Sequence, residues 1–162
     1  MKRIYSVWVE NCSGVLSKVA GLFARRSYNI DSLTVGETDD PDISTMTIVS
    51  SGTDRTLEQI EKQLNKKLDV IKVRTFSPEQ AICREMMILK VKYSRQNRRE
   101  IMEIAEVLKA DIVDTSATHM IIHICDTPER VKLLLDMLHK FNIVEVCRTG
   151  TLAMLKCSDS DN

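Results

Sequence analysis

Between Val9 and Val15 the apolar residues of this chain change period. Ile4 to Val9 is a run dense in apolar and β-branched side chains, whereas Val15, Leu16, Val19, Leu22 and Phe23 recur at helical spacing. The stretch Glu10-Asn11-Cys12-Ser13-Gly14-Val15-Leu16-Ser17 therefore reads as a strand turning sharply into a helix. Ser13 is placed to cap that helix, and Gly14 lets another group approach bare backbone. The first unpaired N–H groups of such a turn point towards any carboxylate or phosphate nearby. A plain capped turn looks the same, so the junction alone assigns no ligand.

The rest of the chain repeats this pattern. A strand over 2–10 and a helix over 13–26 are followed by a strand over 29–37, whose apolar phase slips by one between Ile30 and Leu33, the mark of a bulge or only of an exposed Leu. The acidic stretch Glu37-Thr38-Asp39-Asp40-Pro41-Asp42 reads as a solvated hairpin turn. A strand over 43–50, a helix over 54–67 and a strand over 70–76 complete a βαββαβ unit, the ferredoxin-like order. Residues 77–84 read as a linker, after which the order starts again.

Met87, Leu89, Val91 and Tyr93 alternate with Ile88, Lys90 and Lys92, one buried face against a mostly charged one; a helix over 95–108, a hairpin of 111–117 with 119–125, a helix capped by Thr127 with Pro128 at its first position, and a strand over 144–148 follow. Leu152 to Leu155 suits an edge strand, and 158–162 reads as a disordered tail. The expected architecture is α+β, two tandem ferredoxin-like modules spanning 1–76 and 85–157.

Composition excludes several classes of function. Basic and acidic residues number 23 each, and the halves before and after residue 80 balance at 11 against 11 and 12 against 12, so no basic surface for nucleic acid or membrane is signalled. No apolar run approaches the roughly 18 residues of a membrane span, and Met1-Lys2-Arg3-Ile4-Tyr5 enters a strand directly, so a cytoplasmic protein is expected. The five cysteines, Cys12, Cys83, Cys125, Cys147 and Cys157, are widely spaced without C-x-x-C and suit reduced thiols, not a disulfide framework or zinc knuckle.

No catalytic constellation, metal site or cofactor is expected. His119 and His123, four apart on one strand, sit about 13 Å apart, too far to share a metal. Cys12 at a helix N-terminus is a candidate nucleophile, yet no histidine occurs in the first module to serve as its base. There is no glycine-rich phosphate loop, and the aromatic pair of an RNA-recognition sheet is missing. What remains is the turn. An amino acid would offer its carboxylate to the helix N–H groups and its ammonium to oxygens such as the Asn11 amide. Small sheets of this order also have open edges that a second copy readily covers.

The chain resembles the family of acetolactate synthase (acetohydroxyacid synthase) small regulatory subunits, whose first module is an ACT domain. The resemblance rests on Val9-Glu10-Asn11 through Gly14-Val15-Leu16-Ser17, on Gly21-Leu22-Phe23, on Tyr28-Asn29-Ile30-Asp31-Ser32-Leu33-Thr34-Val35, on Thr38-Asp39-Asp40-Pro41, and on Leu57-Glu58-Gln59-Ile60-Glu61-Lys62-Gln63-Leu64. Ile143-Val144-Glu145-Val146 and Arg148-Thr149-Gly150 extend it into the second module.

The resemblance implies a non-catalytic subunit that associates with a large thiamine-diphosphate-dependent subunit, raises its activity and makes it sensitive to valine or a related branched-chain amino acid. It implies an effector held between the ACT domains of a homodimer. Asn11, Gly14 and Val15 would form one side, with backbone N–H groups of Ser13 and Leu16. Asn29 and Ile30 would face them from the partner chain, with Thr34, Val35 and Gly36 close by. Two positions depart from the family pattern: Ser27 replaces a glycine before Tyr-Asn-Ile, and Gly36 stands where alanine is common. The alternatives are a free-standing ACT-type amino-acid-binding regulator, and a small enzyme using Cys12.

Overall fold

The structure, a computed structural model, describes residues 1–157. The expected disordered tail, 158–162, lies outside the described residues. The elements run β1 (Lys2–Glu10), α1 (Val15–Arg25), β2 (Ser32–Glu37), β3 (Ile43–Ser51), α2 (Asp54–Leu64), β4 (Val70–Phe76), a 3-10 turn (Pro78–Gln80), β5 (Ala81–Lys92), α3 (Arg98–Val107), β6 (Asp111–Thr115), β7 (His119–Asp126), α4 (Pro128–Leu138), β8 (Asn142–Arg148) and β9 (Leu152–Leu155). This is βαββαβ twice, in the α+β class, with one extra strand. The described residues form two compact units, residues 1–83 with 151–157, and residues 84–150.

In the first unit the antiparallel sheet is ordered β2-β3-β1-β4. Alternation along β1 and β3 sends Tyr5, Val7, Val9, Met46 and Ile48 to one face, where they meet Val19, Leu22 and Phe23 of α1 and Leu57, Ile60 and Leu64 of α2. Tyr5 is buried there with its hydroxyl donating to the Leu57 carbonyl at 2.8 Å, and burial pushes its pKa up from the ordinary value. On the opposite face Ile4, Val49 and Phe76 are covered by Ala81 and by Ala153 of β9. β9 pairs with β5, and the Lys156 N–H donates to the Gln80 carbonyl at 3.0 Å. The Thr151 N–H donates to Ser32 Oγ at 2.6 Å, and Thr34 Oγ1 donates to the Thr151 carbonyl at 3.3 Å.

These contacts place residues 151–157 with the first unit, whereas the expected second module ran through 157. The stretch read as a linker is likewise structured. Pro128-like chemistry recurs there: Pro78 opens a 3-10 turn and the Gln80 side chain accepts from the Ser77 N–H at 2.9 Å, after which β5 begins at Ala81.

Helix α1 ends in a Schellman exit. The Tyr28 N–H donates to the Phe23 carbonyl at 3.0 Å, the Ser27 N–H to the Ala24 carbonyl at 3.2 Å, and the two rings, Phe23 and Tyr28, pack edge to face at 6.3 Å. Ser27 occupies the left-handed position, φ 54°, that glycine usually takes. The strand that follows starts at Ser32, and its register with β3 is unbroken from Ser32 opposite Val49 to Glu37 opposite Ser44. The slip between Ile30 and Leu33 is therefore no bulge: Ile30 precedes the strand and packs against the core from the loop.

The second unit has the order β6-β7-β5-β8. Met87, Leu89, Val91, Met120, Ile122 and Ile124 pack on Ile101, Ile104, Val131, Leu134 and Leu138. Helix α3 begins at Arg98, three residues later than the sequence pattern suggests, because Asn97 Oδ1 takes the Ser94 N–H at 2.7 Å and holds 94–97 as a turn. Its exit repeats that of α1: Lys109 is left-handed at φ 55°, and the Ala110 N–H donates to the Ala105 carbonyl at 2.8 Å. Thr127 caps α4 as expected, accepting from the Arg130 N–H at 3.4 Å. Buried Glu85 is paired through two oxygens with Arg148, at 2.6 and 3.0 Å.

Candidate functional site

The junction of β1 and α1 differs from expectation in its cap. Gly14, not Ser13, is the N-cap, and no side chain caps the helix. Gly14 sits at φ 88°, a left-handed conformation that an L side chain strains, although a Cβ there would meet nothing within 4 Å. Glycine is thus demanded by the backbone and leaves open space as a by-product. The Lys18 N–H reaches the Gly14 carbonyl at 3.0 Å, the first full helical bond. The N–H groups of Leu16 and Ser17, in the first turn, have no acceptor within helix geometry. Val15 is buried, while Leu16 is 45% exposed and Ser13 is fully on the surface.

Asn11 is tied to residues far along the chain. Its Nδ2 donates to the Pro41 carbonyl at 2.8 Å and to Glu37 Oε1 at 3.2 Å, and its N–H donates to the Asp42 carbonyl at 2.7 Å. The acidic loop is a hairpin turn, as read, but an internally bonded one: Thr38 Oγ1 accepts from the Asp40 N–H at 3.1 Å and Asp40 Oδ1 from the Asp42 N–H at 2.9 Å. The role of this loop in orienting Asn11 is invisible in the sequence, where 26 to 30 residues separate the partners.

Asn29 and Ile30 lie elsewhere. Asn29 Nδ2 donates to Asp31 Oδ1 at 2.5 Å, its carbonyl accepts from Ser50 Oγ at 2.6 Å, and Ser51 Oγ bonds Asp31 Oδ2. This group stands before β2 begins, whereas Asn11 stands beyond its end at Glu37. At about 3.3 Å per residue, the strand holds the two asparagines roughly 20 Å apart within one chain. Along β2, Thr34 and Gly36 pair with Thr47 and Thr45, on the face that β9 partly covers, while Val35 pairs with Met46 on the helix side and is 42% exposed. Thr34, Val35 and Gly36 therefore do not present side chains to one pocket of a single chain. Gly36 has open space about it.

Cys12 is exposed, and all three histidines fall in the second unit. A ligand atom from each of Glu10, Cys12 and Asp69 lies within 4.8 Å of the others, the arrangement among the described residues that best fits a metal. Lys18 already supplies a cation there: its Nζ is 2.9 Å from both Asp69 oxygens, and that hydrogen bond raises the Lys18 pKa. Among the described residues no helix is long and apolar enough to cross a membrane.

Residues 5–72 match a family model described as the AHAS small subunit-like ACT domain, and residues 84–157 match one described as the small subunit of acetolactate synthase. A probable acetolactate synthase small subunit of Methanothermobacter thermautotrophicus is 44% identical over 157 residues, covering 96% of this chain and 94% of that protein. The isozyme 3 small subunit of Salmonella typhimurium is 41% identical over 155 residues, covering 95% of each. The crystal structure of the acetolactate synthase small subunit from Thermotoga maritima superposes with a TM-score of 0.91 at 38% identity, over 98% of this chain and 99% of that one. Together with an ACT-type first unit and a second unit of the same order, these likenesses carry one conclusion: the chain belongs to the family of acetolactate synthase small subunits.

Proposed function

We propose that the chain is the regulatory partner of the large, thiamine-diphosphate-dependent catalytic subunit of acetolactate synthase in the cytoplasm. In this role it activates that subunit and imposes feedback inhibition by valine, and it works as a homodimer joined through its ACT domains. The observation that carries this reading is the separation of Asn11 and Asn29 at opposite ends of β2. β2 is an edge strand, and Ser-Leu-Thr-Val-Gly-Glu contains neither the lysine nor the proline that commonly blunts an edge. Pairing it antiparallel with β2 of a second copy about a two-fold axis brings the Asn29 end of each chain beside the Asn11 end of the other. The same pairing covers the exposed apolar side chains Leu16 and Val35.

Valine binding at that seam alters the catalytic subunit only through different affinity for two arrangements of the assembly. A coupling of about 1–3 kcal/mol gives a several-fold to hundred-fold effect. The test is to mix the chain with the catalytic subunit and follow acetolactate formation with and without valine, leucine and isoleucine. Asn29→Ala is expected to weaken valine binding about tenfold, the loss of one or two hydrogen bonds to a charged ligand, with subunit association intact. Unchanged valine affinity by calorimetry would sink the seam site. Failure to activate or to recover the catalytic subunit would favour a free-standing amino-acid-binding regulator.

A further inference from the structure

The effector reading above requires that an amino acid's ammonium and carboxylate be held separately, and we infer that Glu37, with Asn11 Oδ1 beside it, takes the ammonium. The inference rests on that reading and begins with the hydrogens of Asn11. A side-chain amide has two N–H hydrogens and one oxygen. Asn11 spends both hydrogens inside its own chain, on Glu37 Oε1 at 3.2 Å and the Pro41 carbonyl at 2.8 Å. Turning the amide over would set its oxygen against a carboxylate and a carbonyl, neither of which donates. The orientation is thereby fixed, and what Asn11 has left for a ligand is an acceptor.

Glu37 closes the edge strand, is exposed, and has no hydrogen bond to its Oε2 among the described residues. It therefore presents an unused carboxylate oxygen at the strand edge, next to an amide oxygen of known direction. The surrounding charge has the same sign: Glu10 precedes Asn11, and Asp39, Asp40 and Asp42 occupy the loop that holds it. The cation of this neighbourhood, Lys18, is bound to Asp69. A ligand carboxylate is repelled here and drawn instead to the Leu16 and Ser17 N–H groups, where the helix dipole favours it. The site is thus polar along its length, with acceptors at the Asn11–Glu37 end and donors at the start of α1. It suits a zwitterion and sets which way round it lies.

The test is calorimetric titration of valine into the full chain, into Glu37→Gln and into Asp39→Asn, an exposed loop carboxylate that does not touch Asn11. Glu37→Gln is expected to bind valine about three- to tenfold more weakly, the scale of a charge contact at an open site, with an unchanged thermal melt. Asp39→Asn is expected to stay within about twofold of the unaltered protein. Unchanged or tighter binding by Glu37→Gln overturns the inference, since a residue that repels the ligand carboxylate would tighten binding when neutralised. An equal loss in Asp39→Asn overturns it as well, because a diffuse field would then explain both. If the unaltered chain binds none of valine, leucine or isoleucine, the effector reading itself falls and takes this inference with it. That outcome is distinct from one in which valine binds and Glu37 proves irrelevant.

Discussion

The first strand-to-helix junctions of the two units stand at the same place in the same fold and are built from different residues. In the first unit Gly14 opens the turn and no side chain caps the helix. In the second, Asn97 Oδ1 takes both the N–H and the hydroxyl of Ser94, and α3 opens with Arg98 over the Tyr93 ring and Arg99 paired to Glu103. Cations in a first turn oppose an incoming ammonium and compete with the N–H groups for an anion. In neither unit does a side chain cap this helix, so the two junctions differ in backbone dihedral and in charge, not in the N–H groups left open. The sheet faces away from the helices differ too. That of the first unit is covered by Ala81 and Ala153, while that of the second leaves Ile88 43% exposed between His123 and Cys147.

Core deletions probe the comparison with the largest effect. Leu57 and Leu134 are fully buried, each on the second helix of its unit, and replacing either with alanine is expected to cost about 2–5 kcal/mol. Hydrogen exchange read residue by residue should show Leu57→Ala weakening protection in the first unit alone and Leu134→Ala in the second alone. Loss of protection in both from either substitution would mean that the two units unfold as one.

The covered and uncovered faces give the next contrast. Ala153 is only 8% exposed, so Ala153→Asp buries a charge without a partner and should cost about 2–3 kcal/mol in urea unfolding. Ile88→Asp, on the open face, is expected to cost less than about 1 kcal/mol in the isolated chain. A comparable loss from Ile88→Asp would show that the second face is covered in solution.

The smallest effect tests what the units share. Ser27 and Lys109 hold left-handed helix exits without glycine, and relieving each by Gly should stabilise by about 0.5–1 kcal/mol, the steric relief being partly offset by the looser unfolded chain. Thermal melts of Ser27→Gly and Lys109→Gly read this directly. A destabilised Ser27→Gly would mean that the Ser27 side chain contributes more than its backbone strain.

The element order was legible because apolar residues at periods of 2 and 3.6 report local burial. The start of α1 was less so: Ser13 has the chemistry of a cap, but φ at Gly14 decided the cap, and no pattern of polarity reports a dihedral angle. The slip at Ile30 looked like a bulge because a loop residue packed on the core mimics a strand residue out of phase. Asn11 was legible from its place at the turn, whereas Asn29 was found only through the family resemblance. Glu37 was not, since its bond to Asn11 spans 26 residues and its acidic loop resembles any solvated turn. The four apolar residues of β9 announced a strand and nothing about which unit would receive it.

That last strand also sets an order of events during synthesis. Residues 84–150 are an insertion of 67 residues within the first unit, since 150 − 84 + 1 = 67. A ribosome emits them in full before Ala153 arrives to cover Ile4 and Val49. Domains made first generally fold first. Here the back of the first unit's sheet, at Ile4 and Val49, stays without its Ala153 cover until residues 84–150 have been made.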